Sequence, residues 1–269
     1  MRFLITLVIL ACFTALVFGN FHWKQKIGNS TYVEATSNPQ KNAGDEQNND
    51  PAKKGEEIDR PLNEKLASLP EEVISYIEEA DSQGKTIELL IIGSEVNTMG
   101  NNPWTEIFQL KMEEAYEELF HITVKEIPYG TSQQVVNEQL HMEDSGTPDL
   151  IILEPFLLND NDVAYPFEQS LENVQTMIKD FRDLNPEVFV FLQPAHPLPG
   201  AVFYPQDMKK FQEFALEQGY PYIDHWTNWP LDNESEMAEH LLAGSIAPNE
   251  LGHKLWSEYI VDLFISGKN

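Results

Sequence analysis

A serine and a glutamate stand side by side, Ser94-Glu95, in a turn that follows the apolar run IELLIIG. Three histidines could serve them: His196 in QPAHPLPG, His225 in YIDHWTNWP and His253 in NELGH. A serine hydroxyl becomes a nucleophile when a base lies within hydrogen-bond reach, and such pairs are set by geometry rather than by order along the chain. Glu95 could itself act as nucleophile or general base if burial raised its pKa. Each residue also has a plainer use. Ser94 can satisfy an amide in its turn, and His253 can pack at the start of a helix. No His, Cys, Asp or Glu cluster has metal-ligand spacing and no glycine-rich phosphate loop is present, so no cofactor and no metal are expected.

These side chains are positioned by the places where strands end. The runs IELLIIGSEVN (87–97) and PDLIILEPFLLND (148–160) are apolar until they break into small and polar residues, as parallel strands do when they feed a site. Strands are predicted at 88–92, 122–127, 150–154, 188–193 and 222–224. Helices are predicted between and after them at 105–119, 132–141, 167–184, 205–218 and 250–264. Leu62, Leu66, Leu69, Val73, Ile74 and Ile77 recur at helical spacing and predict one or two further helices before the first strand. The alternation implies a three-layer α/β/α fold of flavodoxin-like type, with a five-stranded parallel sheet and a ligand crevice outside the carboxyl ends of its strands. His196 and His225 follow the fourth and fifth strands and share that rim. Ser132 and Asn249 are expected to cap the helices they introduce.

The blocks IIGSEVNTMGNNPW, IPYGTSQQ, PDLIILEPFLLND and GSIAPNELGH resemble the motif blocks of the SGNH/GDSL hydrolases over roughly residues 86–265. That family's opening, Gly then a small or acidic residue then the nucleophilic serine, sets Glu95 in the nucleophile position, with Ser94 one residue before it. The resemblance gives the Gly130 amide and the Asn159 side chain the role of oxyanion donors. Leu157 stands where the family has glycine. The family's Asp-x-x-His-Pro-Asn corresponds to Gly244 through Asn249, so Ala247 occupies the place of the catalytic base, and His253 matches a later position that is ordinarily not the base. EPFLLNDN, SLENV, LQP, YP, DHW and APNELGH further resemble a cell-surface subgroup of Bacillus-like bacteria. The resemblance implies an esterase or acetyl-esterase acting on acylated glycan or lipid, with Ser94 as nucleophile and a base drawn from His196, His225 or His253. The alternative is a non-catalytic module of the same fold that binds cell-wall glycan or a partner protein. Glu95 favours the alternative, because a carboxylate accepting hydrogen bonds from Asn159 and Gly130 would repel a developing oxyanion.

The formal net charge of the 269 residues is -27, and residues 61–269 hold 10 Lys and Arg against 37 Asp and Glu, which accounts for all of it. Such a surface repels phosphate backbones, so no nucleic-acid partner is expected. The run FLITLVILACFTALVF (3–18) follows Arg2 and reads as a signal anchor or a cleaved signal peptide within residues 1–20. Residues 21–60 are polar and poor in large apolar side chains, a flexible tether. Residues 61–269 form the hydrolase-like domain. Cys12 is the one cysteine, so no internal disulfide is possible. The apolar leader and the tether lead us to expect the domain at the extracytoplasmic face of the cell membrane, or outside the cell if the leader is removed.

Overall fold

Among the described residues four segments lie side by side as parallel strands: β1 (Ile87–Gly93), β2 (Phe120–Glu126), β3 (Leu150–Leu153) and β4 (Phe189–Leu192), in the order β2-β1-β3-β4. This computed structural model describes residues 60–266. The leader segment and all but the last residue of the polar tether lie outside the described residues. Helices α1 (Leu62–Lys65) and α2 (Glu71–Ser82) precede the sheet. Then come α3 (Trp104–Tyr116), α4 (Ser132–Asn137), α5 (Leu157–Asp162), α6 (Phe167–Leu184), α7 (Tyr204–Glu217), α8 (Glu234–Ala238) and α9 (Glu250–Val261). Among the described residues no helix is long and apolar enough to cross a membrane.

The two central strands read as unbroken apolar runs because both of their faces are covered. Every residue of β3 is buried, as is all of β1 except Glu88. Edge strand β2, FHITVKE, instead alternates between half-buried and exposed through most of its length. Leu89 to Ile92 of β1 pair with Leu150 to Leu153, which pair in turn with Phe189 to Leu192, so three strands end level with one another. The chain moves from β1 outward to β2, then returns past β1 to β3 and β4. Right-handed crossovers therefore send α3 to one face and α4 and α6 to the other. The order reverses between β1 and β3, and there the crevice opens.

The fifth strand, expected at 222–224, does not form. Tyr222 makes a single parallel bridge to Leu192, framed by bonds from the Leu192 N–H to Pro221 and from the Ile223 N–H to Leu192. The chain then winds into a 3-10 turn, His225–Asn228, started by Thr227, whose amide and hydroxyl both donate to the Asp224 carbonyl. His225 is thus wound into a turn rather than projecting from a strand end. Helix α6 spans the expected residues, with Ser170, Val174, Met177, Ile178 and Phe181 buried along one stripe. Helix α3 stops at Tyr116, short of the expected 119, because Glu117 takes a left-handed φ of 51°. The short helix α5 occupies a stretch where no helix is predicted.

Helix α9 closes the fold against α3, where Trp256 stacks on Trp104 with ring centroids 5.3 Å apart. Asn249 caps it as expected. Its Oδ1 accepts from the amides of Leu251 and Gly252, while its Nδ2 donates to the carbonyls of Glu239 and Leu241. A Cβ on Gly252 would lie 2.4 Å from the His240 carbonyl oxygen, so only glycine lets the chain pass that close. These contacts fix the loop 244–249 at the rim of the crevice.

Candidate functional site

The carboxylate of Glu154, at the end of β3, is fully buried and takes every donor within reach. Its Oε2 accepts the Ser94 amide at 2.7 Å, the Ser94 Oγ–H at 2.6 Å and the Asn97 Nδ2 at 3.2 Å, and its Oε1 accepts the Phe156 amide at 3.1 Å. Phe156 reaches this position with a left-handed φ of 65°. A Cβ on Gly93 would meet Asn97 Nδ2 at 2.5 Å and the Glu154 side chain at 2.8 Å, so the glycine lets the β1 turn close down on the carboxylate. Burial pushes the Glu154 pKa up, and the bonds from Ser94, Phe156 and Asn97 oppose that shift. Ser94 itself is fully buried. A serine and a carboxylate in this geometry could exchange a proton, but the hydroxyl is sealed from solvent.

Next along the chain, Glu95 faces a cavity of about 360 Å³ that also touches Met99, Tyr129, Leu158, Asn159 and Ala247. Its Oε2 accepts the amide of Tyr129 at 2.8 Å, presented by another left-handed residue, φ 57°. Asn159 Nδ2 donates to the Gly130 carbonyl at 3.0 Å. The expectation that Glu95 would accept from Asn159 and Gly130 is therefore corrected: the donor is the residue before Gly130, and Asn159 is engaged elsewhere. One hydrogen of the Asn159 amide remains for a ligand. Ser132 does not cap α4. Thr131 caps it, accepting from the Gln134 amide, while the Ser132 amide and hydroxyl both donate to Asp160.

The three candidate bases are engaged with backbone rather than with Ser94. His196 Nε2 bonds to the Ile246 carbonyl, His225 Nε2 to Pro194 and His253 Nε2 to Met99. A carbonyl can only accept, so Nε2 carries the proton in each, and each Nδ1 is left as a buried acceptor without a partner. All three rings are fully buried, and His225 lies flat on Trp256 with centroids 4.2 Å apart. Burial pushes His196 down to about 4 and His225 down to about 3, and lowers His253 as well. The cavity thus brings together Glu95, Asn159 and Ala247, with Gly130 bonded to Asn159. Ser94 lies behind it on Glu154, and His196 and His253 hold two of its lining residues, Ile246 and Met99, from within the core. Among the described residues no group of His, Cys, Asp and Glu could hold a metal ion.

No model of a protein family and no curated protein matches the sequence. Solved structures do resemble it. A GDSL-like lipase from Parabacteroides merdae superposes with a TM-score of 0.57 at 11% identity, over 67% of this chain and 96% of its own. A catalytic mutant of an acetylxylan esterase from Geobacillus stearothermophilus gives 0.55 at 12% identity, over 66% and 94%. A lipolytic protein of the G-D-S-L family from Desulfitobacterium hafniense gives 0.52 at 16% identity, over 66% and 99%. The fold is that of the GDSL lipases and acetylxylan esterases. On this GDSL-type scaffold the residue that sequence reasoning missed is Glu154. Its signal was a single charge closing the apolar run LIIL immediately before a proline.

Two measurements test this geometry. Glu154→Gln sets an NH2 against backbone amides that can only donate, at Phe156 or at Ser94, and should cost about 2–4 kcal/mol in denaturant unfolding. Ser94→Ala, which removes one donor, should cost about 1–2 kcal/mol. Equal stability of Glu154→Gln and wild type would mean that the carboxyl is not bonded as described. The buried histidines set a pH dependence. Unfolded imidazoles titrate near 6.5, whereas these resist protonation, so they contribute stability that is present above about pH 6.5 and lost as pH falls towards 4. Glu154 and Asp160, raised by burial, act in the opposite sense on acidification. Comparing each chain with itself isolates one ring: from pH 7 to pH 4, His196→Gln should lose about 3 kcal/mol less than wild type. Parallel profiles would show that His196 protonates freely in the folded protein.

Proposed function

We propose that this chain is an extracytoplasmic protein built on the ester-hydrolase fold, whose cavity binds an acylated glycan or related ligand without appreciable serine-dependent hydrolysis. The observation that carries this reading is the exchange of places at the cavity. Glu95 and Ala247 line it, at the positions where the family resemblance calls for the nucleophile and the base, while Ser94 lies sealed on Glu154. A serine nucleophile needs an accessible hydroxyl, a base in reach and donors aimed at the developing oxyanion. Here the hydroxyl is enclosed, the imidazoles are bonded to carbonyls, and a carboxylate lines the cavity in which negative charge would have to develop. An acylated glycan is favoured as ligand class by the likeness to an acetylxylan esterase and by a cavity volume within the range of small-ligand sites.

A second reading, Glu95 as general base towards water, is favoured by one observation: its carboxylate is anchored by the Tyr129 amide while facing the same cavity as Asn159. The two readings separate in one assay. The full-length chain should turn over p-nitrophenyl acetate feebly, on the order of the uncatalysed rate, with no change on Ser94→Ala. Vigorous turnover lost in Glu95→Gln would establish the second reading, and vigorous turnover lost in Ser94→Ala would overturn the first. Pairing Glu95→Ser with Ala247→His should raise the rate, since it supplies both a nucleophile and a base at the cavity. Export is part of the proposal, on the strength of the 3–18 apolar run and the polar tether. Protease added outside intact cells should cleave the acidic body, and full-length chain in the soluble cytosol would exclude export.

A further inference from the structure

The cavity is negatively charged and lacks a counter-ion of its own. Glu95 and Asp162 line it, and among the described residues that form its walls there is no lysine, arginine or histidine. Glu95 uses one oxygen on the Tyr129 amide. Its other oxygen takes no hydrogen bond from the described residues. Nearby Glu126 is pushed towards protonation by burial and by the charge of Glu95, as expected where negative charge is crowded. The rest of the wall is mixed: Thr131, Asn159 and Ser245 are polar and uncharged, while Val96, Met99, Leu158, Val163, Ile246 and Ala247 are apolar. At the rim, Tyr129 and Ile246 are exposed, at 76% and 53%. Such a site repels a carboxylate and welcomes a cation that also has apolar surface.

We infer that the cavity is specific for an organic ammonium: a ligand whose positively charged nitrogen pairs with Glu95 while its apolar or sugar portion lies against Met99, Leu158 and Ile246. This deepens the proposed binding function and rests on the cavity being the ligand site. The Tyr129 ring at the rim suits such a cation, because the face of an aromatic ring attracts ammonium groups. A metal ion would not serve in its place. It needs several oxygen or nitrogen ligands converging at short range, and no such group exists among the described residues. Glu95 would then be the specificity-determining residue, choosing amine-bearing ligands over neutral and acidic ones of the same shape.

Three probes of nearly one shape test this: choline, the neutral 3,3-dimethylbutan-1-ol and the anionic 3,3-dimethylbutanoate, titrated calorimetrically into the full-length chain in nonionic detergent. Choline should bind about tenfold more tightly than the alcohol, and the carboxylate should not bind. Raising salt from about 0.05 to 0.5 M should weaken choline alone. Glu95→Gln, which keeps an acceptor for the Tyr129 amide, should remove the preference with little change in thermal midpoint. If it unfolds the protein, Asp162→Asn and the salt series decide instead, each expected to shrink the preference. Alcohol binding as tightly as choline, or no binding by any probe, overturns the inference. The parent reading is judged separately, by whether a partly deacetylated chito-oligosaccharide, which carries both acetyl groups and ammonium groups, binds and is blocked by Ala247→Trp.

Discussion

One buried carboxyl group organises the rim of the crevice. Glu154 directly follows β3, and its bonds to Ser94, Asn97 and Phe156 join the turn after β1 to the turn after β3. Those two strands flank the point where the sheet order reverses, so whatever ties them together sets the shape of the crevice. A buried carboxylate without donors would be very costly. Meeting four of them requires Gly93 to be bare, Phe156 to accept a left-handed backbone and Ser94 to turn inward. Trp104 joins the same network, donating its indole N–H to Asn97 Oδ1, so that α3 is locked to the turn as well. The inward serine is a consequence of satisfying that one buried carboxyl group.

With Ser94 committed, the next side chain must point the other way, and Glu95 faces the cavity. Two carboxylates on neighbouring turns then have opposite surroundings. Glu154 is dry and ringed with donors, while Glu95 is half-buried and held by a single amide. Only the second is placed to meet a ligand. The left-handed backbone of Tyr129, like that of Phe156, turns an N–H towards a carboxylate, so both unusual conformations are explained by the anions they serve.

Much of the fold could be read along the chain, because unbroken apolar runs such as LIIL and the helical stripe of α6 leave few alternatives. The end of the sheet could not. Tyr222 to Asp224 has the composition of a strand, but Pro221 lacks an N–H and Thr227 draws the chain into a turn, so one bridge is all that forms. At the site, the prominence of Glu95, Asn159 and Ala247 was legible because they fall in recognisable blocks. Which donor each acceptor would take was not, since it depends on φ at Tyr129 and Phe156, two residues whose types give no hint of left-handed backbone. Glu154 was visible only as an oddity, a charge at the end of a buried strand.

The histidines show how a reactive residue type can be retained for packing. His196 and His253 support the carbonyls of Ile246 and Met99, two residues of the cavity wall from distant parts of the chain. His225 fills the space beneath, stacked on Trp256, whose indole N–H in turn donates to Gln193. A phenylalanine could fill that volume but would leave a buried carbonyl unpaired, whereas a neutral imidazole supplies a flat ring and one donor together. Holding it neutral is what burial accomplishes, and neutrality suits this place: a charged ring behind the wall would partly cancel the negative field of Glu95 in front of it. The same desolvation that disqualifies these rings as accessible bases therefore preserves the electrostatic character of the cavity they support.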